Sequence, residues 1–329
     1  MSSATARPVI IDTDGGVDDA AALWWALTDP GIDLIAVTAV DGVVPAAIAA
    51  RNVLKVLAAA GRSNIPVGVG GGPRLGPVPK LRSTDFIHGA DGLGDTTTGE
   101  SASTPKLEAA DGLLYRLCAA RPGVVSVVSI GPLTNLARTV ERHPDWAGQV
   151  RELIAMAGSA REGGNALPAG ESNVASDPVA AAMVVAAGWT NPPLMIGLDV
   201  THAATLTQSE FDLLAQHRTH AARFLDAPLR FYRTYGSTFT APQCPCHDLL
   251  AVMALSTPDL IVEAPLLPLA IDTSQGPGWG ATIVDFRALA FAKLSGAQQQ
   301  RPEGFHDWRI AMRVDVSQFR RGLRGLLGA

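Results

Sequence analysis

Pro8-Val9-Ile10-Ile11-Asp12-Thr13-Asp14-Gly15-Gly16-Val17-Asp18-Asp19 is the stretch on which the fold turns. Pro8–Ile11 is an apolar run short enough to be a buried strand, and the residues after Asp18 carry the pattern of a helix reaching Leu27. Two glycines between them permit a tight turn. In open α/β sheets, ligands gather at the carboxyl end of such a strand. Four carboxylates packed this closely repel one another and raise their own pKa values unless something positive sits among them. A divalent cation is the economical answer, and an all-oxygen donor set suits Ca2+ or Mg2+. Asp18 and Asp19 could alternatively do no more than favour a helix N-terminus. That explains one aspartate well and four around a Gly-Gly turn poorly.

Outward from this stretch, strands and helices alternate. Strands are expected over Ile32–Val40, Pro66–Gly70, Val124–Ile130, Leu153–Ala157 and Leu194–Leu198, with helices over Ala46–Ala60 and Leu133–Arg142. Such alternation implies an α/β fold with a doubly wound, mostly parallel central sheet flanked by helices. Gly70–Lys106 is rich in Gly, Pro, Ser and Thr and too long for an ordinary connection, which marks it as a functional loop. Gln208–Tyr235 is expected to be mainly helical, and Thr238–Cys246 irregular. From Ile271 the chain reads as added short strands, including Thr282–Phe286, and a closing helix over Gln318–Leu327. No linker interrupts the pattern, so residues 1–329 are read as a single domain.

Composition narrows the function. Hydrophobic residues make up 47% of the 329 and charged residues only 17%, enough for a large core and no case for disorder. The net charge of −5 is spread without a basic patch, which argues against nucleic acid as partner. No apolar run approaches a membrane span, and no apolar leader precedes the first strand. Three cysteines, Cys118, Cys244 and Cys246, do not make a secreted disulfide framework. A cytoplasmic enzyme acting on a small molecule is the expectation.

A second acidic position lies far along the chain, at His247-Asp248 before the apolar run Leu249–Leu255. A capping Asp beside a surface His is common. Read with the first cluster, the pair supplies a distant metal ligand and a candidate proton donor.

With these residues in place, the sequence resembles the inosine-uridine preferring nucleoside hydrolase family. The family signature Asp-x-Asp-Pro-Gly-x-Asp-Asp is matched by Asp12–Asp19 with Gly15 in place of the proline. Further similar segments follow in family order: His88–Gly94, Ile130–Asn135, Met156, Asn165, Glu171-Ser172-Asn173 with Asp177-Pro178, Gly197–His202 and His247-Asp248. The resemblance runs from about Pro8 to Phe319, and it rests on this order more than on any single motif.

The resemblance implies Ca2+-dependent hydrolysis of the N-glycosidic bond of a ribonucleoside, on a nucleoside hydrolase-like fold. It assigns Asp14, Asp19, Asp248 and the Ile130 carbonyl to Ca2+. Asp18 and Asn173, with Asp248, go to the ribose 2′- and 3′-hydroxyls, and Met156, Asn165 and Glu171 to the 5′ end. Asp14 is the expected base and His247 the expected acid. Carboxylates around the ring suit an oxocarbenium-like transition state. His88 and Tyr235 are candidates to touch the base, ahead of Phe231, Phe239 and Trp279. A homodimer or homotetramer is expected by the same analogy.

Two departures stand out. Val43 occupies the place of an asparagine that in the family faces the catalytic centre, so either Asp41 swings in or the chemistry changes. Ser172 stands where a phenylalanine is common. They motivate an alternative, a ribose- or nucleoside-binding descendant that does not turn its ligand over. A more distant alternative is a haloacid-dehalogenase-type phosphatase, which also opens on a strand ending in Asp-x-Asp. It leaves His247-Asp248 and Glu171-Ser172-Asn173 unexplained.

Overall fold

The computed structural model describes residues 6–77, 81–96, 107–239, 244–291 and 301–329. In chain order the strands are β1 (Arg7–Thr13), β2 (Ile32–Ala39), β3 (Val67–Val69), β4 (Glu108–Ala109), β5 (Ser126–Ser129), β6 (Leu153–Met156) and β7 (Leu194–Ile196). There follow β8 (Thr205–Leu206), β9 (Cys244–Pro245), β10 (Ile261–Glu263), β11 (Leu266–Ile271), β12 (Thr282–Val284), β13 (His306–Ile310) and β14 (Arg313–Val314).

Ten of these form one sheet in the order β12-β11-β13-β7-β6-β5-β1-β2-β3-β4. Every pairing from β13 across to β4 is parallel, and β11 adds antiparallel contacts to β12 and β13 at one end. From β1 the chain builds outward through β2, β3 and β4, then returns to lay β5 on the other flank of β1. The order therefore reverses beside β1, and the carboxyl ends of β1 and β5 border the crevice where such folds bind ligands. The acidic stretch of the sequence lies at that reversal.

The centre of β1, Val9–Ile11, is apolar because both its faces are covered. Val9 and Ile11 enter one core cluster, and Ile10 enters the other. The first cluster holds the helices Val17–Thr28 and His247–Ser256, and the second holds Ala110–Ala119 and Pro178–Ala186.

The expected elements of the first half are present, with ends shifted by one or two residues. The stretch Gln208–Tyr235 is two helices, Gln208–Leu214 and His220–Phe239, rather than one. The break follows from His217, whose φ of +49° is left-handed and incompatible with a continuing helix. The long loop after Gly70 carries a short helix, Asp85–His88, in its described part. Among the described residues, no helix is long and apolar enough to cross a membrane.

Candidate active site

The turn after β1 is shaped to bring carboxylates together. Gly15 has a φ of +75°, and a Cβ there would stand 2.6 Å from the Ala49 Cα. A Cβ on Gly16 would lie 2.8 Å from both Asp19 Oδ2 and His88 Nδ1. The bare backbone thus lets a carboxylate and an imidazole close on the start of the helix Val17–Thr28. Asp19 accepts the Gly16 amide at 2.9 Å, the Asp14 amide at 3.3 Å and the Thr13 hydroxyl. His88 Nδ1 accepts the Val17 amide at 3.2 Å. Helix-start donors that would otherwise be orphaned are satisfied in this way.

The second arm comes from the helix His247–Ser256, which packs along Val17–Thr28. The amides of His247 and Asp248 donate to the Asp18 carboxylate. Asp18, Asp19 and Asp248 are buried, and each places a carboxylate oxygen within 4.8 Å of the others. Burial and the charge of Asp19 push Asp18 up to about 7. Burial, then Asp18, Asp19 and Asp14, push Asp248 well up. Asp14 is driven up by burial and by Asp19, against the lowering effect of the Val43 amide. The charged groups that raise these three most are themselves carboxylates. A divalent cation fits this donor set, because it would relieve the repulsion without needing nitrogen or sulfur ligands.

Asp14 lies beside that trio, with Oδ2 accepting the Val43 amide at 2.9 Å. Asp41 does not swing in. It is exposed, and its Oδ1 accepts the Ala46 amide at 2.6 Å, at the start of the helix Ala46–Ala59. Asp12 is tied to neighbouring elements by the Thr38 hydroxyl at 2.5 Å and Asn135 Nδ2 at 2.8 Å, and burial pushes it up to about 7.

Several of the other expected site residues are joined by hydrogen bonds around the carboxyl ends of β5 and β6. Ile130 follows β5, its amide donating to the Asp12 carbonyl at 2.7 Å. The next residue, Gly131, packs so close that a Cβ would lie 2.9 Å from the Asp14 amide nitrogen. Asn173 Nδ2 donates to the carbonyls of Met156 at 2.9 Å and Ile130 at 3.3 Å. Glu171 caps the short helix Ser172–Ser176, its carboxylate accepting the amides of Asn173, Val174 and Gly158. Burial nonetheless carries Glu171 up to about 7. Asn165 is exposed, and its Oδ1 accepts the Ser172 amide at 2.8 Å.

His247 Nδ1 shares a 2.7 Å hydrogen bond with the Thr201 hydroxyl. Burial, with the His202 and His88 rings, pushes His247 down to about 3. His88 is likewise lowered by burial, to about 4, as befits a ring nitrogen that accepts. The side chains of Tyr235 and Phe239 lie outside the described part of the structure. Tyr232, which sequence reasoning missed, packs its ring 5.1 Å from His88, and Asp18 and Asp248 act on its hydroxyl. The signal was present, since Leu225, Leu229 and Tyr232 form a buried stripe at helical spacing. Cys244 and Cys246 are buried, and burial pushes both thiols up, which disfavours the nucleophilic thiolate.

A family model for inosine-uridine preferring nucleoside hydrolases matches residues 9–321. The chain belongs to that family. It is 34% identical to a probable uridine nucleosidase 2 of Arabidopsis thaliana, over 79% of this chain and 80% of the relative. It is 33% identical to a non-specific ribonucleoside hydrolase of Salmonella paratyphi A, over 91% and 95% of the two chains. Among solved structures, a plant nucleoside hydrolase superposes with a TM-score of 0.89 at 32% identity, covering 98% of this chain and 99% of that one. The family membership makes the protein a nucleoside hydrolase and sets aside the phosphatase alternative.

Proposed function

We propose that this nucleoside hydrolase cleaves ribonucleosides to ribose and free base in a Ca2+-dependent reaction, with Asp14 as base and His247 as acid. The observation that carries this reading is the buried convergence of Asp18, Asp19 and Asp248 beside Asp14. Asp14, Asp19, Asp248 and the Ile130 carbonyl would hold Ca2+, whose irregular, all-oxygen coordination suits a loop. When bound, the ion lowers the pKa of water and helps fix the sugar.

The chain's own residues do the rest. Asp18 and Asn173, with Asp248, bind the 2′- and 3′-hydroxyls, while Met156, Asn165 and Glu171 line the 5′ end. Asp14, whose carboxylate lies at the carboxyl end of β1 beside the trio, takes a proton from the attacking water. The carboxylates around the ring stabilise the positive charge that develops on the sugar. His247 gives a proton to the departing base. Burial lowers its pKa, so the ring takes up a proton before it donates one, and negative charge growing on the base favours that protonated form. His88 and Tyr235 are assigned to the base side.

Assay of free ribose from inosine, guanosine, adenosine, uridine, cytidine and p-nitrophenyl riboside tests this. Parallel samples carry excess chelator and then restored Ca2+. Release that stops with chelator and returns with Ca2+ is expected. Activity indifferent to chelator would remove the ion from the reaction. Absence of turnover with nucleoside still bound by calorimetry would replace hydrolysis with binding.

A further inference from the structure

We propose that Thr201 is the positioning residue for His247, holding ring nitrogen Nδ1 so that Nε2 is the nitrogen presented to the leaving base. The inference rests on the reading of His247 as the proton donor. Thr201 is fully buried, and its hydroxyl lies 2.7 Å from Nδ1. A threonine hydroxyl in a helical turn ordinarily bonds back to a carbonyl one turn earlier. This one instead reaches a residue of another helix.

The backbone fixes the contact from both sides. The short helix Leu198–Thr201 is fastened by the Leu198 amide to the Gly158 carbonyl at 3.0 Å. The Asp199 carboxylate accepts the amides of Ala160 and Arg161, each at 2.7 Å. Beyond Thr201, β8 pairs with β9, with Thr205 opposite Pro245, and the Cys246 amide donates to the Ala204 carbonyl at 2.9 Å. The stretch that carries the hydroxyl is thus laced to the stretch that carries the ring, immediately beside the pair. Neither partner depends on a mobile surface side chain for its position.

A hydroxyl is suited to the task because it both donates and accepts. It keeps its bond whichever nitrogen carries the ring proton, and it adds no charge of its own. With Nδ1 occupied, proton exchange with a base falls to Nε2. Catalytic geometry is unforgiving, and an error of about 1 Å costs on the order of 100-fold.

The test compares kcat/KM for inosine and for p-nitrophenyl riboside, whose leaving group needs no protonation, in wild type, Thr201→Val, Thr201→Ser and His247→Ala. Ca2+ affinity is measured by calorimetry on the same proteins. Thr201→Val is expected to lose about 10–100-fold on inosine and to stay within about twofold on the activated riboside, with Ca2+ affinity unchanged. Thr201→Ser, which restores the hydroxyl, is expected to recover most of the inosine activity. Equal losses on both substrates, weakened Ca2+ binding, or no loss on inosine where His247→Ala loses it selectively would overturn the role of Thr201 alone. Equal losses on both substrates in His247→Ala would overturn His247 as acid, and Thr201 with it.

Discussion

The backbone amide of Val43 donates to Asp14 Oδ2 at 2.9 Å. The position that departs most from the family pattern is therefore connected through its main chain to the carboxylate proposed as base. A main-chain donor is indifferent to the side chain it carries. Val43 is half-buried and packs on the core beside the site, with its carbonyl accepting the Thr84 hydroxyl at 3.3 Å. We expect Val43→Asn to keep this contact and to change kcat/KM by no more than about threefold. A gain above tenfold in a steady-state ribose assay would show that the missing amide side chain limits the reaction.

Gly15 replaces the signature proline, and the replacement is not interchangeable in this chain. Its φ of +75° lies far from the value near −65° that the proline ring imposes. Its amide donates to the Thr13 hydroxyl at 3.2 Å, a bond proline cannot make. Its carbonyl accepts Asn52 Nδ2 at 2.9 Å, and the same nitrogen ties down the Asp91 carbonyl at 2.7 Å. Gly15→Pro should therefore cost more than about 2 kcal/mol in urea unfolding. A midpoint indistinguishable from wild type would mean that the turn has a second, right-handed conformation of equal energy.

The sheet was legible because its strands are buried on both faces. Runs such as Ile10–Ile11 and Val127–Val128 have no polar side to disguise them, and glycines mark their ends. β4 and the short strands β8 and β9 escaped, since two-residue strands carry no periodicity. The carboxylates were legible as a cluster because four of them share one turn. What the sequence concealed was partnership. Nothing in Asp41 says that it serves the Ala46 amide rather than the site, and nothing in Thr201 says that its hydroxyl meets a ring 46 residues later. Those pairings depend on how segments distant in sequence are laid together.

Asp18, Asp19 and Asp248 repel one another in the dry interior, so a bound cation should stabilise the fold as well as serve the reaction. Binding at a hundredfold excess over Kd contributes about 2.7 kcal/mol. We expect Ca2+ to raise the melting temperature, and Mg2+ to raise it less, because Mg2+ demands a stricter octahedron. Asp248→Asn should weaken Ca2+ binding at least about tenfold and abolish most of that rise. Equal melting curves with chelator and with Ca2+ would remove the ion from this cluster.

Glu210 gives a stability prediction away from the site. It is buried at the start of the helix Gln208–Leu214, and it joins that helix to the closing helix Val316–Leu327 through Arg324 Nε at 2.8 Å. Burial pushes the carboxyl up, but hydrogen bonds from the Thr207 hydroxyl, Arg324, the Thr207 amide and Ser209 outweigh it and bring Glu210 down to about 2. A depressed carboxylate contributes stability that is present above its unfolded value of 4.5 and lost as the pH falls toward 2. Glu210→Gln should thus cost about 1–2 kcal/mol at pH 7, less than a fully buried pair because Arg324 is partly exposed. The difference from wild type should narrow below pH 4.5, where the native side chain begins to lose its advantage. Denaturant midpoints of both proteins at pH 7 and pH 4 decide it, and a difference that widened toward acid would show that the ionised carboxylate is not what joins the two helices.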